Sequence, residues 1–319
     1  MPAKNVLILA GGGGHTAYGY ALAQRLYGRA NLHFLVPKGD ELSYERLAKF
    51  GPVDFLLKPR GAKTPTKEFL PRLAMAFTEA FRKIPSGFDV VVSTGSNFCI
   101  PPCLLAWLKG IPIINIESSV RFTKPSKSAL LLQPITTITA LQWEEQKKLL
   151  KRGIVVGPLI PKPEVKPWNG GYILVTGGTL GHKKLFDEIS QSKLKNVVLQ
   201  TGEVDPEPYR KQHPEWTVIK YSAKFYKLIA GAEVVVTHFG YTAMEAVIYK
   251  KPMVIVLNPE LRRTVGKLDA EIFAKKINAI FIWDIKLSNL LRAIEEAKAK
   301  TPPELKDGAE NLATIIMEL

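Results

Sequence analysis

Short apolar runs alternate with amphipathic stretches through the first half of the chain. Val6 to Ala10 is followed by a helical pattern from about His15 to Tyr27 and then by Leu32 to Val36. Apolar runs closed off by glycine and polar turn residues read as strands, and a 3.6-residue recurrence between them reads as helix. The pattern returns with Asp89 to Ser93, a helix opening near Pro101 and stopping at Gly110, and Ile111 to Ile116. These runs are apolar throughout rather than alternating, as expected of parallel strands covered on both faces by helices.

Gly157-Pro158, Pro161, Pro163, Pro167 and Gly170-Gly171 interrupt this order with a stretch suited neither to helix nor to central strand. The pattern then restarts: Tyr172 to Thr176, a glycine turn, a helix to about Ser190, Val197 to Gln200, Val234 to Thr237, Met253 to Leu257 and Ala279 to Trp283. Two α/β domains of the Rossmann-like, doubly wound kind are expected, over 1–157 and 158–319, with a last helix from about Pro303 to Glu318 able to pack on either. The length of 319 residues allows each domain its own core.

With 46% hydrophobic and 23% charged residues, the composition excludes disordered and fibrous classes. Cys99 and Cys103 have no second Cys or His pair nearby, so buried thiols are expected rather than a zinc site. The start runs straight into an apolar strand without a secretory pattern, and no apolar run reaches the roughly 18 to 20 residues that span a bilayer. A cytoplasmic chain with at most peripheral membrane contact is the expectation. The net charge of +15 calls for an anionic partner: nucleic acid, an anionic bilayer or a phosphorylated ligand. No RRM signature and no basic recognition helix is present, so nucleic acid ranks third.

Both halves open with strand, glycine turn and helix: Gly11-Gly12-Gly13-Gly14-His15-Thr16 and Gly177-Gly178-Thr179-Leu180-Gly181-His182. Such turns bring backbone N–H groups and the positive end of a helix dipole to an anion, and two of them suggest two phosphate-bearing ligands. Neither ends in the Gly-Lys-Ser/Thr of a P-loop. Gly12, Gly14 and Ala17 fit a dinucleotide fingerprint, but Val36-Pro37-Lys38 offers no acidic ribose ligand where an NAD site places one, and Asp40 lies further on. In Thr237-His238-Phe239-Gly240-Tyr241-Thr242-Ala243-Met244-Glu245 a third glycine turn precedes a helix. Glu245 there suits the vicinal hydroxyls of a ribose, or is an ordinary helix glutamate.

Gly13-Gly14-His15-Thr16-Ala17, Ser93-Thr94-Gly95-Ser96, Pro101-Pro102, Asn115-Ile116-Glu117-Ser118-Ser119-Val120-Arg121, Pro134 and Leu141-Gln142-Trp143-Glu144 resemble the acceptor-binding subunit of the dolichol-pathway UDP-N-acetylglucosamine transferase. Val175-Thr176-Gly177-Gly178-Thr179, Thr237-His238-x-Gly240 through Glu245-Ala246, and Lys251-Pro252 resemble its donor-binding partner. The two are joined here in one chain, as in the bacterial transferase that makes the peptidoglycan lipid precursor. The resemblance implies a GT-B fold, two Rossmann-like domains facing across a cleft. It also implies inverting transfer of N-acetylglucosamine from UDP to a polyprenyl-diphosphate-linked GlcNAc, in lipid-linked oligosaccharide synthesis for N-glycosylation. No metal and no cofactor beyond the UDP-sugar is implied, and the chain has no Asp-x-Asp motif. The loop between Gly240 and Glu245 is one residue shorter than in that family, and Asp269 and Glu271 stand where it carries a His-Gln pair.

On that reading Gly177, Gly178, Thr179, His238, Gly240, Thr242 and Glu245 hold the donor, while Gly13, Gly14, Thr16, Ser96, Asn97 and Arg121 meet the acceptor. His15 is the expected general base, with an ordinary pKa near 6.5 suited to the task; its plain alternative is a histidine satisfying the helix N-terminus. Glu117 binds acceptor hydroxyls, orients His15 or is itself the base. His182 and His238 bond phosphate or loop backbone. Arg121, with Lys124 and Lys127, meets the diphosphate or forms a solvated cluster. Lys63 to Ile84 places Phe69, Leu70, Leu73, Met75, Phe77 and Phe81 beside Lys67, Arg72, Arg82 and Lys83, fitting a helix on anionic headgroups or one buried in the domain. Two other classes remain: a sugar-nucleotide epimerase acting on a soluble substrate, excluded by a requirement for lipid acceptor, and a non-catalytic basic binding module, which would release no UDP.

Overall fold

The computed structural model describes residues 3–61, 64–84, 87–261 and 265–319. In the first unit, Met1–Pro161 with Leu305–Leu319, the order is β1 (Lys4–Leu9), α1 (Gly14–Leu26), β2 (Ala30–Pro37), α2 (Glu41–Leu47), β3 (Val53–Leu56), α3 (Phe69–Lys83), β4 (Val90–Ser93), α4 (Ile100–Leu108), β5 (Ile113–Ile116), α5 (Lys127–Leu132), β6 (Ile138–Leu141) and β7 (Ile154–Val155). The second, Lys162–Glu304, runs β8 (Ile173–Thr176), α6 (Lys183–Ile189), β9 (Val197–Gln200), α7 (Glu207–Gln212), β10 (Thr217–Ile219), α8 (Phe225–Gly231), β11 (Val234–Thr237), α9 (Tyr241–Ile248), β12 (Met253–Val256), α10 (Lys267–Lys276), β13 (Ile280–Ile282) and α11 (Leu287–Lys298). The chain then returns to the first unit as α12 (Gly308–Glu318).

The first sheet has the order β3-β2-β1-β4-β5-β6-β7 and the second β10-β9-β8-β11-β12-β13, and the strand pairs are parallel. Both sheets reverse direction of winding between their first and fourth strands, at β1/β4 and at β8/β11. In open α/β sheets this is where ligands bind, beyond the carboxyl ends of the strands. β4, β8, β11 and β12 are buried at every residue, which explains why their sequences are apolar without alternation.

Cys99 and Cys103 are free, buried thiols inside the first core, beside Leu9 and Phe98, as expected; burial pushes the Cys99 thiol up to about 11. The Pro/Gly stretch is tied to the second unit through Trp168 N–H to the Ala230 carbonyl at 3.0 Å and Gly170 N–H to the Gly231 carbonyl at 2.7 Å. The boundary thus falls at Pro161 rather than 157, and the last helix does not belong with the second domain as 158–319 supposed. Buried Arg25 of α1 pairs with Asp307 at 2.8 Å. Lys4 Nζ donates to the Ile316 carbonyl, and Gly308 approaches Gly157 so closely that an added Cβ would lie 2.0 Å from its carbonyl oxygen. α12 starts at Gly308 because Pro302 and Pro303 lack N–H donors and Asp307 caps the helix through Glu310 N–H.

Candidate functional site

In the first unit β1 passes into α1 through Gly11 to Gly13. Gly12 and Gly13 have φ of 90° and 57°, a region open to glycine at little strain. Gly13 and Gly14 are exposed, and a Cβ on Gly13 would meet nothing within 4 Å. The start of a 13-residue helix is therefore open to a ligand. The turn after β4 lies against it: Ser96 Oγ sits 2.5 Å from where a Gly11 Cβ would stand, and Ser96 has φ of 75°, a strained value for a residue with a side chain.

His15 is half-buried, and its Nδ1 lies 2.6 Å from the Thr94 carbonyl oxygen. A carbonyl only accepts, so Nδ1 carries the proton and Nε2 keeps its lone pair. The imidazole Nδ1 thus faces the Thr94 carbonyl rather than an N–H of the first turn of α1. Burial pulls its pKa down to about 4, with the charges of Lys58 and Arg121 adding to this and the Thr94 carbonyl opposing it. The ordinary value near 6.5 expected for this base is thus corrected for the unliganded protein.

Several expected acceptor residues turn inward. Glu117 is 0% exposed; its two oxygens accept Ser118 N–H at 2.7 Å and Ser126 N–H at 2.9 Å. Burial raises its pKa against those two bonds. It braces the loop between β5 and α5 and makes no hydrogen bond to His15 among the described residues. Thr16 is buried, with its hydroxyl 2.7 Å from that of Ser43, which bonds Asp40. Asn97 accepts Arg60 N–H at 3.1 Å and donates to the Arg60 carbonyl at 3.0 Å, clasping the loop after β3. Arg121 is half-buried, and its guanidinium has no hydrogen bond or ion pair among the described residues; Lys124 and Lys127 are exposed. Lys58 was not anticipated: its Nζ donates to the Gly11 carbonyl at 2.7 Å and lies 3.6 Å from the position of a Gly12 Cβ. A lone lysine after a four-residue strand gives no signal of its own.

In the second unit, Gly177 and Gly181 fold the loop after β8 onto itself, a Gly177 Cβ falling 2.2 Å from the Gly181 carbonyl carbon. Gly178, with φ of 65°, donates its N–H to Thr176 Oγ1 at 3.0 Å, and Thr179 is exposed. His182 is 1% exposed; Nδ1 accepts Leu185 N–H at 3.3 Å, capping α6, and Nε2 donates to the Leu257 carbonyl at 3.3 Å. It bonds backbone, and burial holds its pKa at about 4.

His238 stands between the second unit's two glycine turns, 3.4 Å from a Gly178 Cβ position and 3.5 Å from that of Gly240. Burial and His182 lower it to about 4. Its Nδ1 and the hydroxyl of Thr237 are buried without a hydrogen-bond partner among the described residues. Gly240 opens α9, which carries half-buried Thr242 and buried Glu245. Asp269 instead caps α10, accepting Gly266 N–H at 3.4 Å, and Glu271 is exposed. Buried Asn258, also missed, donates to the Gly181 carbonyl at 3.3 Å.

Residues 172–315 match the Glycosyltransferase family 28 C-terminal domain. The chain is a glycosyltransferase. It is 24% identical over 339 aligned residues to a UDP-N-acetylglucosamine--N-acetylmuramyl-(pentapeptide) pyrophosphoryl-undecaprenol N-acetylglucosamine transferase of Trichormus variabilis, covering 98% of this chain and 94% of that one. To a transferase of the same name from a Nostoc species it is 23% identical, covering 100% and 98%. In structure it is similar to MurG of Acinetobacter baumannii, with TM-score 0.61, 17% identity and full coverage of both chains. It also resembles a UDP-GlcNAc 2-epimerase of Methanocaldococcus jannaschii, with TM-score 0.67, 16% identity and 99% and 100% coverage. The fold is that of GT-B glycosyltransferases; fold alone does not separate transferase from epimerase, and the family 28 match favours the transferase.

α3 buries only Ala76 and Ala80 among its well-covered positions. Leu70 and Phe81 of α3 are 72% and 65% exposed, Trp107 and Leu108 at the end of α4 are exposed as well, and Lys109 Nζ lies 5.7 Å from the Phe81 ring centroid. Lys63, in the stretch expected to lie on headgroups, falls outside the described residues. No described helix is long and apolar enough to cross a membrane.

Proposed function

We propose that the chain moves N-acetylglucosamine from UDP-GlcNAc to a sugar carried on a polyprenyl diphosphate, with inversion at C1. The carrying observation is His15: its tautomer is set by the Thr94 carbonyl, leaving an Nε2 lone pair beside an exposed helix start and two cations. That arrangement suits a base that takes the proton of an acceptor hydroxyl while the acceptor diphosphate lies against Gly13, Gly14, Lys58 and Arg121. Glu117 holds the loop that carries Arg121. Ser96 shapes the turn facing the glycines. In the second unit Gly177, Gly178, Thr179, His238, Gly240 and Thr242 receive the UDP diphosphate, and Glu245 the ribose hydroxyls. The phosphates are met by N–H groups rather than through a metal, so activity persists in EDTA.

The dolichol pathway finds no counterpart in the names of these relatives, which specify an undecaprenol carrier and an N-acetylmuramyl-(pentapeptide) acceptor. The acceptor is accordingly proposed as a class, polyprenyl-diphosphate-linked sugars. Work at the cytoplasmic face of a membrane fits the exposed apolar residues of α3 and α4 with their basic neighbours. The test is transfer itself: UDP-GlcNAc is incubated with polyprenyl-diphosphate-GlcNAc and with the N-acetylmuramyl-pentapeptide lipid, and the products are weighed. A gain of one N-acetylhexosamine on either lipid is expected. UDP-GlcNAc epimerised without any lipid product would overturn the reading.

A further inference from the structure

The segment from Ser118 to Arg121 is irregular backbone, and irregular backbone holds its shape only if its polar groups find fixed partners. Glu117 accepts the Ser118 N–H, Tyr18 the Ser119 N–H, and Trp143 donates to the Ser119 carbonyl; Gln146, on the 3₁₀ turn after β6, meets the Ser118 and Arg121 carbonyls. Its Nε2 donates to the Ser118 carbonyl at 2.7 Å and to the Arg121 carbonyl at 3.0 Å. Its Oε1 accepts the N–H groups of Gln142 at 2.7 Å and Trp143 at 3.2 Å. The amide is 0% exposed and uses both donors and both acceptor positions. A carboxylate of the same shape would turn an oxygen toward two carbonyl oxygens. The Arg121 guanidinium, in contrast, has no hydrogen bond or ion pair among the described residues, and its charge reaches His15.

We propose that Gln146 is a positioning residue for Arg121, holding the Ser118–Arg121 backbone so that the guanidinium faces a diphosphate at the glycine turn of α1. The inference rests on the proposed acceptor site and deepens it. Geranylgeranyl diphosphate is the probe, its binding measured by calorimetry on the full chain, with UDP as the control ligand for the other unit. Arg121→Ala is expected to weaken the probe about 10- to 100-fold, the worth of charge-assisted hydrogen bonds. Gln146→Glu weakens it about five- to tenfold through misplacement of the guanidinium. Joined to Arg121→Ala, Gln146→Glu adds less than about twofold, because both changes remove one interaction. UDP affinity is unchanged throughout. Gln146→Met serves if the carboxylate prevents folding. Normal probe affinity in a folded Gln146 variant, losses that multiply in the double variant, or an equal loss of UDP affinity overturns the inference. Normal affinity in Arg121→Ala removes Arg121 from the diphosphate, and the acceptor-site reading falls with the inference.

Discussion

His15→Ala separates chemistry from scaffolding within one protein. The wild-type imidazole donates Nδ1–H to the Thr94 carbonyl at 2.6 Å and keeps Nε2 free. Loss of general-base assistance lowers turnover about 10²- to 10⁴-fold, equivalent to about 3 to 5 kcal/mol of barrier. The same change strips Thr94 of its donor at a half-buried position, for about 1 kcal/mol of stability. UDP affinity does not move, since with a pKa of about 4 the imidazole is uncharged at pH 7. Single-turnover rates, melting temperature and UDP calorimetry read these three quantities. Turnover within tenfold of wild type in a folded variant refutes the assignment.

The pH profile carries the same argument further. A base held near 4 is weak, and two of the causes are the Lys58 and Arg121 charges. An acceptor diphosphate bound beside them offsets both and raises the imidazole toward its ordinary range. The acid limb of kcat/KM for the acceptor, which reports the free protein, is expected near pH 4, and that of kcat at higher pH. Limbs that coincide refute the claim that the diphosphate lies beside His15.

Glu245→Ala is expected to weaken UDP by about 1 to 3 kcal/mol, as for a charged acceptor taken from buried hydroxyl partners; unchanged calorimetric affinity in a folded variant removes Glu245 from the site. Glu117→Gln places an NH2 against the N–H of Ser118 or Ser126 and is expected to lower stability by about 1 to 3 kcal/mol with turnover reduced only modestly; lost turnover at an unchanged melting temperature would return Glu117 to catalysis. His182 has a folded pKa of about 4 against about 6.5 unfolded, so the unfolded chain takes the proton first as pH falls. Its contribution, up to about 3 kcal/mol, is present above about pH 6.5 and lost down to about 4; denaturation midpoints flat across that window contradict it. Leu70→Glu with Phe81→Glu is expected to weaken sedimentation with anionic vesicles, and salt to weaken wild-type binding, because screening acts over about 10 Å at 0.1 M; vesicle binding indifferent to both moves the contact surface elsewhere.

The strands and glycine turns were legible in the sequence because they depend on backbone alone. Val197 to Gln200 and Val234 to Thr237 are strands at the expected residues, since a fully buried strand must be apolar throughout. Gly12, Gly13 and Gly178 take positive φ, so the turn is written in the one residue type that tolerates it. Helix starts were less legible: α12 begins five residues after Pro303, at an Asp307 cap that the apolar period does not announce.

Side-chain roles were legible only in part, because a residue type suited to a ligand is equally suited to a loop. Glu117, Thr16, Asn97, His182 and Asp269 all have ligand-like chemistry in motif-like places, and each is used up on its own backbone or a neighbour. Spacing cannot separate the two uses, since both put a polar group at the carboxyl end of a strand. The groups proposed to meet ligands differ in having unspent capacity: the lone pair on His15 Nε2, the guanidinium of Arg121, His238 Nδ1 and the Thr237 hydroxyl. An unpaired polar group in or beside a buried turn destabilises the unliganded protein. These four groups, at the carboxyl ends of β1, β5 and β11 or just beyond them, are the ones that the proposed diphosphate ligands would satisfy.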